Sequence, residues 1–102
     1  MPTYITMLKW TPNGIQNIKG SPGRLDQART EFATLGVTLK DVYLTMGSHD
    51  LICVLEAPDN ETVAKAVLGL ATAGSVSTET LAAFTENEYR SLINSLLSEI
   101  SH

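Results

Sequence analysis

Cysteine occurs once in the 102 residues, as Cys53, which excludes an internal disulfide and any zinc site built from cysteine. Basic residues are scarce: Lys and Arg total 7 against 11 Asp and Glu, giving a formal net charge of −4. That sign repels phosphate backbones and anionic lipid heads, so neither nucleic acid nor a membrane is an expected partner. No apolar run approaches the length of a membrane span, and no basic-then-apolar leader opens the chain. Ser-His-Asp spacing, a phosphate-cradling glycine loop, a dinucleotide glycine motif and an EF-hand loop are also missing. What is present is ordinary for a folded chain: 43% hydrophobic and 18% charged residues, wrong for disorder. The expectation is one soluble, cytoplasmic domain spanning residues 1–102, with no cofactor and no metal.

Tyr4 to Trp10 is rich in strand formers and closes on Thr11-Pro12-Asn13-Gly14, which predicts a first strand. Thr11 as cap and Pro12 at the first helical position predict a short helix running to Lys19. Ser21-Pro22 repeats that signal ahead of a stronger helix. There Leu25, Ala28, Phe32 and Leu35 recur at three- and four-residue spacing, and Gly36 sits at the stop. Val37–Met46 and Asp50–Ala57 read as two strands joined by Gly47-Ser48-His49. A type II′ turn would give Gly47 a positive φ and set Met46 opposite His49. Asp59 or Asn60 caps a third helix with Glu61 in its first turn, an apolar stripe at Val63, Val67 and Leu70, and an exit at Gly74. Val76–Phe84 completes the strands. Thr85 and Glu88 then form a capping box before a terminal helix carrying Tyr89, Leu92, Ile93, Leu96, Leu97 and Ile100. The order β-α-β-β-α-β plus a helix is that of an α+β, ferredoxin-like fold.

Alternation along the strands puts Ile5 and Met7 on one face and Tyr4, Leu8 and Trp10 on the other. In the hairpin, Val42, Leu44 and Met46 oppose Tyr43 and Thr45, and Leu51, Cys53 and Leu55 oppose Ile52 and Val54. Both faces are apolar, yet the two main helices need only one. Covering roughly 300 Å² of apolar surface on the other is worth about 7 kcal/mol before association costs. The terminal helix can cover that face within one subunit or reach a neighbour. A homodimer, or a higher homo-oligomer, with sheets packed face to face is the favoured expectation.

The segments PTYITMLKWT, Asn17-Ile18-Lys19 with Ser21-Pro22, KDVYLTMGSHD, Glu56-Ala57-Pro58 and TETLAAFTENE resemble the GYD family of small bacterial and archaeal proteins. The matching blocks run from Thr3 to about Glu88. The resemblance implies a dimeric α/β-barrel relative built from ferredoxin-like subunits, and it supplies no reaction. One departure lies in the signature: the family core is Gly-x-Tyr-Asp, whereas this chain reads Gly47-Ser48-His49-Asp50, with His49 in the tyrosine position. Glycine and aspartate are kept. A phenol's role is lost and an imidazole's gained.

His49 is the candidate catalytic residue, because imidazole moves protons near neutral pH. Asp50 points to the opposite strand face from it and suits backbone hydrogen bonding at the turn. On an extended strand His49 and Cys53 would share a face about 13 Å apart, too far for one metal ion. The other histidine is His102, and Cys53 reads as a small core residue. Trp10 and Tyr43, with Lys9 and Arg24 as cations, are candidate ligand-binding residues for a flat anionic or carbonyl compound, with Asp50 beside them. Against this stand the plainer roles of interface aromatics and solvated cations. Glu56 and Glu79 lie in strands, where an inward carboxylate would need a partner.

Two functions follow as expectations. One is a homo-oligomeric module that binds a small ligand or a partner protein in a sensing or accessory role. The alternative is a cofactor-free isomerase, decarboxylase or monooxygenase acting on a small carbonyl or aromatic compound. In that enzyme His49 transfers the proton, Trp10 and Tyr43 wall the pocket, and Lys9 or Arg24 holds an anionic group.

Overall fold

Four antiparallel strands form one sheet in the order β2-β3-β1-β4: β1 (Thr3–Trp10), β2 (Thr38–Leu44), β3 (Leu51–Glu56) and β4 (Val76–Ala83). In the computed structural model, which describes residues 1–100, the two main helices α2 (Ser21–Thr34) and α3 (Asn60–Thr72) follow β1 and β3. A short α1 (Pro12–Gln16) and a 3₁₀ turn (Ile18–Gly20) precede α2, and α4 (Glu86–Ile100) ends the chain. The Ile100 side chain and residues 101–102, His102 among them, lie outside the described residues. This is the ferredoxin-like α+β arrangement with an additional C-terminal helix.

Local chemistry sets the boundaries. The Thr11 hydroxyl caps α1 by accepting the Gly14 N–H at 3.2 Å. Asp59 caps α3, its carboxylate accepting the Thr62 N–H at 2.8 Å and the Thr62 hydroxyl at 2.6 Å. Those bonds favour the anion and hold the Asp59 carboxyl below its usual range. Thr85 and Glu88 exchange reciprocal bonds of 2.8 and 3.2 Å at the start of α4. Gly36 and Gly74 leave α2 and α3 with φ of 84° and 82°, a left-handed exit suited to glycine.

The core lies between the sheet and α2/α3. Tyr4, Leu8, Leu39, Cys53 and Leu55 from the sheet meet Phe32, Val63, Ala66 and Val67 from the helices, all buried. Thr6 is the polar residue in this layer, and its hydroxyl pairs with that of Thr80 across β1 and β4 at 3.0 Å. The Tyr4 hydroxyl donates to Asn60 Oδ1 at 2.6 Å.

Four expectations are corrected. Gly47 has no positive φ, so the type II′ turn does not form. The strands instead stop at the Leu44–Leu51 pair. The six residues between them form an open loop, closed where the Thr45 N–H meets the Asp50 carbonyl at 2.8 Å. Met46 is therefore solvated rather than paired with His49. Ser21 lies inside α2 and Gly20 takes the cap position, without a side-chain cap bond. The first helix ends at Gln16 and gives way to the 3₁₀ turn, because the Asn17 backbone leaves helical geometry. His49 and Cys53 do not share a face, because His49 belongs to the loop and reaches toward Glu79 on the sheet's far side.

β2 carries a further irregularity. Its register with β3 shifts between Leu39 and Asp41, leaving Lys40 as the extra residue of a bulge. The bulge inverts the alternation, so that Leu39 and Val42 both face the core, opposite Leu55 and Cys53.

Candidate functional site

Small side chains on α2 and α3 leave unfilled the space above the sheet that larger ones would occupy. Ala28 of α2 and Gly69 of α3, with Ala73 just beyond α3, border a cavity of about 170 Å³. Its floor is Thr6, Leu8, Cys53 and Leu55, with Trp10 and Ser75 at the end where β1 leaves the sheet. The lining is mostly apolar. Its charged members are Arg24 and Glu31, both on α2.

Arg24 is held by its neighbours. Its Nη1 donates to the Asn17 carbonyl at 2.9 Å, across the 3₁₀ turn that the early end of α1 creates. Its Nη2 is buried and has no acceptor among the described residues. Glu31 is exposed and accepts from Gln27 Nε2 at 3.3 Å. Burial pushes the Cys53 thiol up to about 11, with the Arg29 charge opposing weakly. Cys53 is therefore a neutral wall of the cavity at physiological pH, neither a base nor a nucleophile.

The predicted site residues divide between the two faces of the sheet. Trp10 and Arg24 line the cavity together. Lys9 and Tyr43 are exposed on the far face, where Tyr43 pairs with Ile52 and Lys9 with Ser77. His49 also lies on that side, its Nε2 3.6 Å from Glu79 Oε1 and its Nδ1 3.3 Å from the Ser48 hydroxyl. Asp50 supports the backbone: its carboxylate accepts the Trp10 N–H at 2.9 Å, and its own N–H donates to the Leu8 carbonyl at 2.8 Å. Among the described residues, no group of three or more His, Cys, Asp or Glu side chains is placed to hold a metal ion. Sequence reading missed Gly69 and Ala28 as cavity residues. Their signal is smallness at positions facing another helix, visible only once the helices are placed.

The far face is the second feature. Ile5, Met7, Ile52, Val54 and Leu81 form an apolar patch across β3, β1 and β4, half-buried except for the exposed Leu81. α4 does not cover it. Tyr89, Leu92, Ile93, Leu96 and Leu97 are all exposed along one stripe, and among the described residues α4 packs extensively on no other element. The molecule accordingly measures 59 × 31 × 17 Å, with a radius of gyration of 16.1 Å; a closed domain of this length would have about 13 Å.

The family model of the GYD domain matches residues 4–93, nearly the whole chain. The chain belongs to the GYD family. A relative from Thermus thermophilus, named glutamine synthetase and cystathionine beta-lyase binding protein, is 38% identical over 84 residues, covering 81% of this chain and 88% of the relative. The GYD chain also superimposes on solved structures. MtbAldR gives a TM-score of 0.65 at 16% identity, covering 83% of this chain. Only 52% of MtbAldR is spanned, about half of its length. TTHA0845, also from Thermus thermophilus, gives 0.54 at 24% identity, covering 83% of this chain and 95% of that one. At those identities the likeness establishes the fold alone. Within the matched segment, the structure places His49 beside Glu79.

Proposed function

We propose that this GYD protein is a non-catalytic binding module that self-assembles through its open sheet face and docks on other proteins in an accessory role. The observation that carries the reading is the pair of uncovered apolar surfaces on one chain: the far sheet face, and the α4 stripe from Tyr89 to Leu97. Two sheets packed face to face would bury Ile5, Met7, Ile52 and Val54 of both copies. α4, at 15 residues about 22 Å long, is suited to lie over the neighbour's sheet. The 38% identical relative is named for binding two enzymes, which supports a protein rather than a metabolite as the principal partner.

The catalytic alternative has less support. His49 lies across the sheet from the cavity, beside an exposed Glu79. The cavity's own titratable groups are an arginine, a thiol held protonated and a solvated glutamate. Burial keeps the Cys53 thiol from serving as a base near neutral pH.

The test mixes the purified chain with purified glutamine synthetase, and separately with purified cystathionine beta-lyase, followed by size-exclusion chromatography and interferometry. A saturable complex with either enzyme supports the reading. Failure to bind both enzymes overturns the proposed docking role.

A further inference from the structure

The open sheet face carries charge as well as apolar surface. Alternation along β1 puts Lys9 on this face, in line with Ile5 and Met7. On β2 the bulge at Lys40 turns Asp41 to the same face, opposite Val54. Both side chains are exposed, and among the described residues neither has an ion-pair or hydrogen-bond partner. The other carboxylates of the face are answered in place: Glu56 by Lys40 Nζ at 3.7 Å and Glu79 by His49 Nε2 at 3.6 Å. Lys9 and Asp41 are thus the unanswered cation and anion at the margins of the patch formed by Ile5, Met7, Ile52, Val54 and Leu81.

The two charges cannot meet within one copy. Lys9 stands four residues beyond Ile5, and Asp41 lies two strands over at the level of Ile5 through the pairs Ile5–Val54 and Val54–Asp41. Strand spacing of about 4.8 Å and a rise of about 3.4 Å per residue then separate their Cα atoms by about 17 Å. The midpoint falls on Ile52, which is level with Met7 on one side and Tyr43 on the other. Consider a two-fold axis through Ile52, in the plane between two stacked sheets and perpendicular to the Lys9–Asp41 line. On the same spacings it crosses β1 between Ile5 and Met7 and meets β4 at Leu81. The axis that carries each Lys9 over the other copy's Asp41 therefore also runs along the apolar patch, and sets Ile52 and Leu81 against their own counterparts.

We propose that two copies associate about this axis, each Lys9 ammonium donating to the Asp41 carboxylate of the other copy at two symmetry-related contacts. The inference rests on the self-assembly reading above and adds its register. Apolar surface alone accepts many registers, whereas a shifted one strands both charges against apolar side chains.

Analytical ultracentrifugation of charge-reversed chains is the test. Lys9→Asp and Asp41→Lys should each weaken self-association by about tenfold or more, because like charges then face each other at both contacts. Both positions are exposed, so each variant keeps the fold, checked by far-ultraviolet circular dichroism. Mixing the two variants should restore association to near the wild-type level. In the mixed dimer one contact is the original pair and the other is the same pair with its signs exchanged. A wild-type monomer overturns the self-assembly reading and this inference with it. Three results overturn the Lys9–Asp41 pairing while leaving self-assembly standing: a wild-type dimer that either variant leaves unweakened, a mixture that associates no better than its components, or equal rescue of the Lys9→Asp chain by a Glu56→Lys or Glu79→Lys chain.

Discussion

The carboxylate of Asp50 accepts the backbone N–H of Trp10 at 2.9 Å, where main-chain pairing between β1 and β3 has already stopped at Leu8 and Leu51. Asp50 thus extends the ladder by a side chain. Its own N–H continues the ladder through the Leu8 carbonyl. Trp10 is thereby fixed at the cavity's end. Replacing Asp50 with Ala strands the Trp10 N–H and should cost about 1–2 kcal/mol in urea denaturation. Asp50→Asn, whose amide oxygen also accepts, should recover most of the loss. Equal losses in both variants would contradict this role.

Gly14 approaches the α3–β4 connection so closely that a Cβ there would lie 2.1 Å from the Ser75 carbonyl oxygen. The Thr11 N–H donates to that same carbonyl at 3.0 Å. Backbone cannot yield as a side chain does. Gly14→Ala should therefore destabilise by about 1–3 kcal/mol. Gly69→Ala, in open space within α3, should stabilise by about 1 kcal/mol. Thermal unfolding of the two variants should move in opposite directions.

The Cys53 thiol, raised from 9.0 to about 11 by burial, gives a pH dependence with a definite sign. The unfolded chain loses this proton near pH 9 and the folded one near 11. Stability from this group is complete below pH 9 and is lost as pH rises toward 11. Alkylation by iodoacetamide at pH 8 should be slow in the native protein and rapid in urea. Cys53→Ala should flatten the alkaline part of the stability curve. Rapid native alkylation would refute the buried, protonated thiol.

Much of the architecture was legible because it rests on local chemistry. The Thr11, Asp59 and Thr85 caps, the glycine exits at Gly36 and Gly74, and the two-residue alternation in β1 and β3 each act within a few residues. The hairpin misleads because Gly47-Ser48 has the composition of a tight turn. The side-chain bond from Asp50 to Trp10 and that from the Thr45 hydroxyl to the His49 carbonyl, at 2.7 Å, instead hold a longer loop. The bulge at Lys40 was invisible for a related reason. Leu39 and Val42, three apart, look like a broken alternation until β3 sets the register. The expected grouping joined Trp10, Tyr43 and Lys9, chosen for their nearness to strand ends, with His49, chosen for its imidazole. Alternation and the loop's path put Trp10 on one face and the other three on the opposite one.

His49 and Glu79 form a half-exposed pair at 3.6 Å on the far face. Such pairs contribute little to stability. His49→Tyr should change unfolding free energy by less than about 0.5 kcal/mol. A large loss would place His49 in the structural framework.

A second copy covering the far sheet face and the α4 stripe has a direct signature in sedimentation equilibrium across the micromolar range. The expected mass is at least twice 11.0 kDa, falling to the monomer value when Val54 and Leu96 are both changed to Lys. A wild-type chain that sediments as a single well-behaved 11.0 kDa species throughout would contradict it.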